Sequence, residues 1–273
     1  MKIINLMDNL ASCDSFLCEH GLSYYIETKN HKLLMDTGAS DKFIENANVL
    51  GVNLSSVDSL FLSHGHYDHA GGILAFSKLN KTAKMYLQKP AAADYYHVDP
   101  AKIKYIGIDP AIASLPQVEW VQGDWKMDEE VSIFSDVTGR RLWPKGNLVL
   151  KRKKEDGFVQ DEFEHEQYLV ISCDGKKVLV SGCAHNGILN ILDAYRDRFG
   201  GDPDAIFSGF HMMKKTEYDE AEIVTIRQTA EILKETDIML YTGHCTSEPA
   251  FFIMKEILGQ QLVWVRSGDV IEL

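Results

Sequence analysis

Four apolar segments of this chain, each with the composition of a buried β-strand, end in a short turn that contains histidine. The first segment ends in the run Ser63-His64-Gly65-His66-Tyr67-Asp68-His69-Ala70-Gly71-Gly72, and the three later segments end near His185, His211 and His244. Active sites of α/β folds lie at the carboxyl ends of strands. If these strands lie side by side, their histidines converge, and this recurrence constrains the fold more than any other feature.

The first turn has the spacing of a site for two metal ions. His64 and His66 project to the same side of a strand end because they are two residues apart, so they can bind one ion. Asp68 and His69 follow as the chain turns and can face a second ion. Two ions roughly 3.5–4 Å apart can hold a hydroxide for attack on a substrate. Imidazole and carboxylate suit zinc, iron or manganese, so we expect two divalent ions, with zinc as the first choice.

Other residues are expected to support this site. Asp36 follows a predicted hairpin strand and is predicted to lie under the metal cluster, where it would orient a ligand histidine. Cys183 is a possible ligand, because a thiol beside a metal loses its proton. The remaining isolated histidines are predicted to be surface or loop residues: His20, His31 and His97.

The order of predicted elements indicates one α/β domain over residues 1–273. The predicted elements include strands at 57–62 and 83–88, a hairpin at 168–181, and helices at 71–79, 188–199 and 217–235. The segment 89–165 is less regular, and we predict that it is an insertion that specifies the substrate. Its basic run at 151–154 is interpreted either as a solvated loop or hairpin or as a rim that attracts anions.

Charge and cysteine content limit the partners and the compartment. The net charge is 28 − 40 = −12, which argues against a nucleic-acid partner but not against a small anion at a metal site. There is no apolar run of membrane-spanning length and no apolar signal peptide. Five cysteines without a CxxC pair indicate a reduced, cytoplasmic protein, although Cys13 and Cys18 could pair on spacing alone. We predict a small-molecule substrate, and no particular oligomeric state.

The HxHxDH signature at 64–69, with Gly71-Gly72 after it, resembles that of the metallo-β-lactamase superfamily of metal-dependent hydrolases. The resemblance extends over essentially the whole chain. It implies a four-layer αββα sandwich with a two-metal cleft along one edge. It further implies the following roles: His64 and His66 as ligands of the first metal, Asp68, His69 and His244 as ligands of the second, and Asp36 as the supporting aspartate.

The chain departs from the family pattern at two positions, the third histidine of the first metal and the bridging aspartate. In the family that histidine precedes a hairpin whose second strand ends in the aspartate. His165 precedes the predicted hairpin here, and Cys183 stands where the aspartate is expected. Either His165 is the third ligand and Cys183 replaces the bridge, or His185 takes over as the ligand. We favour His185 because its turn places it directly at the strand end.

Within the superfamily, the chain is similar to the branch named for dihydropterin-ribofuranosylaminobenzene-phosphate synthase. The resemblance rests on HExxL from His165, the GCAHNG turn at 182–187, GFH at 209–211 and GHCT at 243–246. His211 is a mark of this branch. It is interpreted either as a capped core histidine or as a substrate contact, proton shuttle or extra ligand. With Asp68, which would orient the hydroxide, it is our candidate catalytic residue.

These observations predict a hydrolase with a binuclear centre whose metal-bound hydroxide attacks the substrate, and the resemblance alone implies that this substrate is small and phosphate-bearing or pterin-like. Three alternatives use the same ligands. One is a condensing synthase of the dihydropterin-phosphate type, another is a di-iron redox protein, and the third is a metal-dependent ligand sensor without turnover.

Overall fold

A computed structural model describes residues 1–214 and 216–273 of the chain. The strands in this part of the chain are β1 Lys2–Met7, β2 Ser23–Glu27, β3 Lys32–Met35, β4 Ser59–Phe61, β5 Lys84–Gln88, β6 Tyr95–Asp99, β7 Lys102–Tyr105, β8 Val118–Val121, β9 Trp125–Lys126, β10 Val131–Phe134, β11 Leu150–Lys154, β12 Gly157–Gln160, β13 Tyr168–Cys173, β14 Lys176–Val180, β15 Ala205–Phe207, β16 Met239–Thr242, β17 Leu262–Trp264 and β18 Val270–Glu272. The α-helices are α1 Lys42–Val49, α2 Tyr67–Ala70, α3 Ile73–Leu79, α4 Ile188–Phe199, α5 Glu220–Lys234 and α6 Glu248–Leu258.

Two seven-stranded sheets form the centre of the molecule. The first has the order β18-β1-β2-β3-β4-β5-β8, and the second has the order β17-β16-β15-β14-β13-β10-β9. Strands β3, β4, β5 and β8 are parallel, as are β14, β15, β16 and β17. Because parallel strands end at the same edge of a sheet, each sheet presents a row of strand ends at one edge.

The central strands contain continuous apolar runs because both of their faces are buried there. In β14, Val178 and Val180 lie in the core between the sheets, while Leu179 faces the helices on the outside. In β15, Phe207 faces inward and Ile206 outward. Side chains alternate between the two faces of a strand, and a strand covered on both sides therefore reads as a continuous apolar run.

Helices cover the outer face of each sheet. Phe43 of α1 and Phe76 of α3 pack in the core outside the first sheet. Helices α4, α5 and α6 cover the second sheet, with Leu192, Leu233 and Met254 in that core. The result is the predicted four-layer αββα sandwich, whose layers bury the apolar face of every element.

Two helices begin a few residues later than the sequence pattern predicted. Helix α5 begins at Glu220, three residues later than predicted, because the capping box is formed by Asp219 and Glu222. The predicted helix 71–79 is found as α3, which begins two residues later at Ile73, and Tyr67–Ala70 forms a separate helical turn before it.

The segment 89–165 contributes to three sheets. Strands β8, β9 and β10 belong to the two large sheets, whereas β12, β11, β6 and β7 form a separate four-stranded sheet. The basic run at 151–154 lies in the hairpin of β11 and β12. None of the six helices in the described residues is both long enough and apolar enough to cross a membrane.

Candidate metal centre

The predicted site residues come together where the strand ends of the two sheets face each other. Strand β3 leads to Asp36 and β4 leads to His64, His66, Asp68 and His69. Strand β14 leads to Cys183 and His185, β15 to His211, and β16 to His244. All of these residues are buried except His211, which is half-buried. Gly182 permits this approach, because a Cβ there would collide with the Ser63 hydroxyl.

Four of the histidines share one arrangement, in which Nδ1 is bound to a neighbouring side chain and Nε2 is directed toward the cluster. The Nδ1 contacts are His64 to Ser63 Oγ at 2.8 Å, His69 to Asp36 Oδ2 at 2.6 Å, His185 to Asn147 Oδ1 at 2.9 Å and His244 to Asn9 Oδ1 at 2.9 Å. Ligand histidines in metal proteins are oriented in this way through their second ring nitrogen.

The Nε2 atoms meet around the sulfur of Cys183. His185 Nε2 lies 3.2 Å from His64 Nε2, and Cys183 Sγ lies 3.3 Å from His69 Nε2. Ligating atoms lie within 4.8 Å of one another in two sets, one of His64, Cys183 and His185 and one of His69, Cys183 and His244. Cys183 belongs to both sets.

Asp68 extends the second set. Its Oδ2 atom lies 3.6 Å from His244 Nε2 and 3.8 Å from His69 Nε2. These separations are larger than a hydrogen bond and close to the spacing of two ligands around one ion with bonds of about 2.0–2.2 Å.

Unpartnered nitrogen atoms indicate that the donor set fits divalent ions. His66 Nε2 and His244 Nε2 are buried and have no hydrogen-bond partner among residues 1–214 and 216–273. A buried polar atom without a partner costs about 1–3 kcal/mol. Imidazole nitrogen, carboxylate oxygen and thiolate sulfur are all zinc ligands, so an ion would satisfy these atoms with its preferred donors.

His165 is close to the cluster but both of its ring nitrogens are engaged elsewhere. Its Nδ1 accepts a hydrogen bond from the Gly65 N–H at 2.8 Å, and its Nε2 lies 3.1 Å from Asp161 Oδ2. His66 Nε2 lies 4.0 Å from the same Asp161 oxygen, and these three residues form a further set of closely spaced donors. The structure therefore places His185, and not His165, against His64.

For most of the proposed ligands, the shifted pKa favours the protonation state that binds metal. Burial lowers the pKa of His64 and His185 well below the ordinary value, with further lowering by neighbouring histidines, and lowers that of His66 to about 3. Burial alone would raise the pKa of Asp68, but His69 and the other nearby histidines lower it. Neutral imidazole and ionised carboxylate are the forms that ligate.

His244 behaves differently. Burial would lower its pKa, but the Asp68 carboxylate 3.6 Å from Nε2 and the charges of Cys245 and Asp8 raise it to about 9. An ion that binds at His244 therefore displaces a proton at neutral pH.

Glu166 holds the turn that carries Cys183 and His185. Its carboxylate accepts hydrogen bonds from the His185 and Asn186 N–H groups at 2.7 and 2.9 Å, from Asn186 Nδ2 at 3.0 Å and from the Tyr168 hydroxyl at 2.6 Å. The sequence analysis used Glu166 only as a letter of the HExxL pattern. No sequence pattern around His185 and Asn186 indicates that Glu166 would accept their hydrogen bonds.

His20 lies at the rim of the centre, although only a surface position was predicted for it. Its side chain is 43% exposed, its Nε2 lies 3.3 Å from Asp68 Oδ2, and its ring stacks on His244 with centroids 5.0 Å apart. His31 and His97, by contrast, bind acidic residues away from the centre.

His211 joins the centre to a cavity of about 220 Å³. Its ring centroid lies 4.1 Å from that of His185, and its Nε2 faces Gly146 on the cavity wall. The other residues that line the cavity are Leu142, Pro144, Lys145, Val149, Met212, Met213, Lys214, Tyr218, Glu222, Thr225 and Ile226.

Cys245 is a buried neighbour of His211 and Cys183. The His211 N–H donates to Cys245 Sγ at 3.2 Å. Burial raises the pKa of Cys245, but hydrogen bonds with Cys183 and His211 outweigh it, and the net pKa lies well below the ordinary value. Burial raises the pKa of Cys183. All five cysteines of the chain are described, and each is free; Cys13 and Cys18 are exposed.

Comparison with known proteins places this arrangement in context. Residues 17–220 match the family model of the metallo-beta-lactamase superfamily. A curated relative from Methanocaldococcus jannaschii is 26% identical over 310 aligned positions that cover 100% of this chain and 96% of the relative. It is named 7,8-dihydropterin-6-methyl-4-(beta-D-ribofuranosyl)-aminobenzene-5'-phosphate synthase.

Solved structures share the architecture. The crystal structure of Tm1679, called a metal-dependent hydrolase of the beta-lactamase superfamily, has a TM-score of 0.83 and 28% identity, and the match covers 100% of this chain and 99% of that one. Zinc-bound PqqB from Methylobacterium extorquens has a TM-score of 0.60 at 12% identity, with full coverage of both chains, and so shares the fold.

Proposed function

Because this chain belongs to the metallo-β-lactamase superfamily, we propose that it is a metal-dependent hydrolase with two divalent ions, zinc as the first choice, acting on a small phosphate-bearing or pterin-like substrate. One observation carries the proposal. The Nε2 atoms of His64, His69, His185 and His244 surround Cys183 Sγ, while each Nδ1 is held by its own partner.

The two sets of converging atoms give His64 and His185 for the first ion and His69 and His244 for the second. His66, whose ring centroid lies 4.6 Å from that of His64, would complete the first group, and Asp68 would complete the second. Cys183, which belongs to both sets, would be shared. When bound, such ions polarise the attacked group and lower the pKa of water to about 7, which makes a nucleophile available at neutral pH.

The residues of the chain supply orientation and proton transfer. Asp68 lies among His20, His69 and His244, where its ionised carboxylate can accept a hydrogen bond from the attacking water and fix its direction. Asp36 keeps His69 in place through its 2.6 Å contact with Nδ1. His211 faces the cavity with Nε2 and can donate a proton to the leaving group there.

The cavity beside His211 supports a small substrate with a flat apolar part. Leu142, Pro144, Met212 and Tyr218 supply apolar surface. Lys145 and Lys214 add positive charge that could attract an anionic group, although Lys214 pairs with Glu222 and Lys145 lies 3.9 Å from Asp219. Several of the lining residues come from the segment 89–165, which supports the proposal that this segment specifies the substrate.

A condensing synthase is the second candidate, because the relative that is aligned over the full chain is named a synthase. The two candidates differ in product. Condensation would join a dihydropterin that carries a leaving group to a ribofuranosylaminobenzene phosphate, with release of that leaving group and a proton, whereas hydrolysis would add water and release a smaller fragment of either.

The test combines metal analysis with turnover. The purified wild type is expected to contain divalent metal and to hydrolyse bis(p-nitrophenyl) phosphate. His66→Ala should reduce the rate by about 100-fold or more, since one ligand orients the whole centre. The control is His97→Ala, which removes a half-exposed histidine bound to Asp99.

Three outcomes would contradict the hydrolase. A wild type that takes up no metal contradicts the centre itself, and turnover that survives His66→Ala contradicts its role. A product that contains both a dihydropterin and the aminobenzene phosphate, detected by mass spectrometry in the absence of hydrolysis, would favour the synthase.

A further inference from the structure

We propose that Cys183, His211 and Cys245 form a third, sulfur-rich metal position beside the two-metal centre. The three residues follow β14, β15 and β16, which are neighbouring parallel strands of the second sheet. One ligand atom from each lies within 4.8 Å of the other two. The inference concerns residues that the proposed hydrolytic function does not require as ligands, apart from the shared Cys183.

The spacing suits a thiophilic divalent ion. Zinc binds sulfur at about 2.3 Å and imidazole nitrogen at about 2.0–2.1 Å, so two sulfurs on one tetrahedral zinc lie roughly 3.8 Å apart. Atoms that already lie within 4.8 Å need to move by only about 1 Å or less to reach this geometry. Two sulfurs and one nitrogen select zinc over magnesium or calcium, which prefer oxygen.

His211 presents an unsatisfied atom to this position. Its Nδ1 is buried and has no hydrogen-bond partner in the described residues, although its Nε2 faces Gly146. The residue has a φ of +47°, in the left-handed region that non-glycine residues rarely adopt. Strained backbone of this kind persists where the surrounding structure enforces it, commonly at functional sites. Ligation through Nδ1 would leave the proton on Nε2, toward the cavity.

The chain is also wrapped closely around the sulfur of Cys245. The backbone N–H of His211 donates to Sγ at 3.2 Å, and a Cβ at Gly209 would collide with the same atom. A backbone N–H directed at sulfur stabilises the thiolate, which is the form that binds metal. Buried thiols also occur as small apolar side chains. Packing alone, however, does not account for the orphaned Nδ1 of His211.

Cys183 connects this position to the main centre. Its sulfur lies 3.3 Å from His69 Nε2 and belongs to both histidine sets. A third ion would therefore share one thiolate with the two-metal centre and bind a second thiolate, from Cys245, that the centre does not use.

Cobalt titration tests the site, because thiolate ligands give Co²⁺ a strong near-ultraviolet charge-transfer absorption. Metal-free, reduced protein is titrated without oxygen. The wild type is expected to bind three equivalents, with about twofold more charge-transfer absorption at saturation than Cys245→Ala, which keeps one of two thiolates. Cys245→Ala should bind two equivalents. His211→Gln should also lose the third equivalent, which tests the site without removing a sulfur.

The matched control is Cys173→Ala. Cys173 is also buried and free, but it ends β13 at the opposite end of the sheet, so its variant should behave as the wild type does. Thermal unfolding of each variant confirms that it is folded. A wild type that binds two ions while hydrolysing substrate overturns the third position and leaves the proposed function standing. Equal cobalt stoichiometry and absorption in the wild type and Cys245→Ala overturn it as well.

Discussion

The proposed ligand histidines differ from the supporting ones in whether one ring nitrogen is free to bind an ion. His185 has Nδ1 bound to Asn147 and Nε2 against His64, so one nitrogen is free for an ion. His165 has both nitrogens engaged, by the Gly65 N–H and Asp161. Because a neutral imidazole has only one nitrogen that can ligate while the other is held, the hydrogen-bond partners decide which histidine binds metal.

This distinction predicts different outcomes for two alanine substitutions. His185→Ala should lose one of the bound ions, whereas His165→Ala should keep the metal count and lower the stability, because Asp161 is left buried without its main partner. Metal content by mass spectrometry and urea unfolding measure the two effects. Loss of an ion from His165→Ala alone would reverse the assignment.

Asp36 makes a second prediction at this scale. Its carboxylate accepts hydrogen bonds from Ser63 as well as meeting His69 Nδ1. In Asp36→Asn the side-chain amide cannot accept every hydrogen bond that the carboxylate accepts. Zinc affinity should therefore fall by about 10–100-fold, as it does when other hydrogen-bond partners of ligand histidines are replaced. Competition with a chelator measures this. Asp109→Asn is the control, because it keeps a helix cap on the surface. An unchanged affinity would show that Asp36 has only a structural role.

At the scale of elements, the turn after β14 depends on a carboxylate from the segment before β13. Glu166 is buried and accepts four hydrogen bonds, three of which come from His185 and Asn186. Burial raises its pKa, although the Tyr168 hydroxyl and the backbone N–H groups oppose this shift. The hairpin of β13 and β14 thus positions a ligand through a side chain at its own entrance.

Replacing this carboxylate should be costly. Glu166→Gln puts an amide N–H₂ where two donors point, and the free energy of unfolding should fall by about 2–4 kcal/mol, since each unpaired buried donor costs about 1–3 kcal/mol. Urea unfolding of metal-free protein measures the change. Glu129→Gln, on a side chain that is 97% exposed, should change little. Equal stability of the two variants would contradict the role of Glu166.

At the scale of the whole molecule, His31 links the two sheets at the end away from the metal centre. It lies in the turn between β2 and β3 of the first sheet, and its Nε2 lies 2.7 Å from Asp128, in the turn between β9 and β10 of the second. Its Nδ1 lies 3.2 Å from Asp58, and Glu130 is 3.9 Å from Nε2. Burial would lower the pKa of His31, but these carboxylates raise it.

The link predicts a pH dependence of stability. Because the folded-state pKa of His31 is raised, its contribution is complete below the unfolded value of about 6.5 and is lost as the pH rises through the folded value. The Tm of the wild type should therefore fall relative to that of His31→Gln between about pH 6 and pH 8.5. Parallel Tm curves for the two proteins over this range would exclude the link.

Local patterns in the sequence predicted the strands and helices of one α/β domain and the cluster of donors at residues 64–69, whereas the four layers were implied by the family resemblance. Continuous apolar runs such as Val178–Val180 predicted strands buried on both faces, because side chains alternate with a period of two. The strand ends with histidine were likewise visible, and helix α4 has the predicted bounds 188–199. Strand β18 was missed because three residues, mostly exposed, carry little pattern.

What the sequence determined by itself was the fold and the list of donors; the tertiary structure decided how each donor is used. Asn9 orients His244 from 235 residues away and Asn147 orients His185 from 38 residues away. Isolated polar residues at such separations have no periodicity to reveal them. Only the packing of the two sheets brings them to the Nδ1 atoms, and those contacts place His185 rather than His165 beside His64.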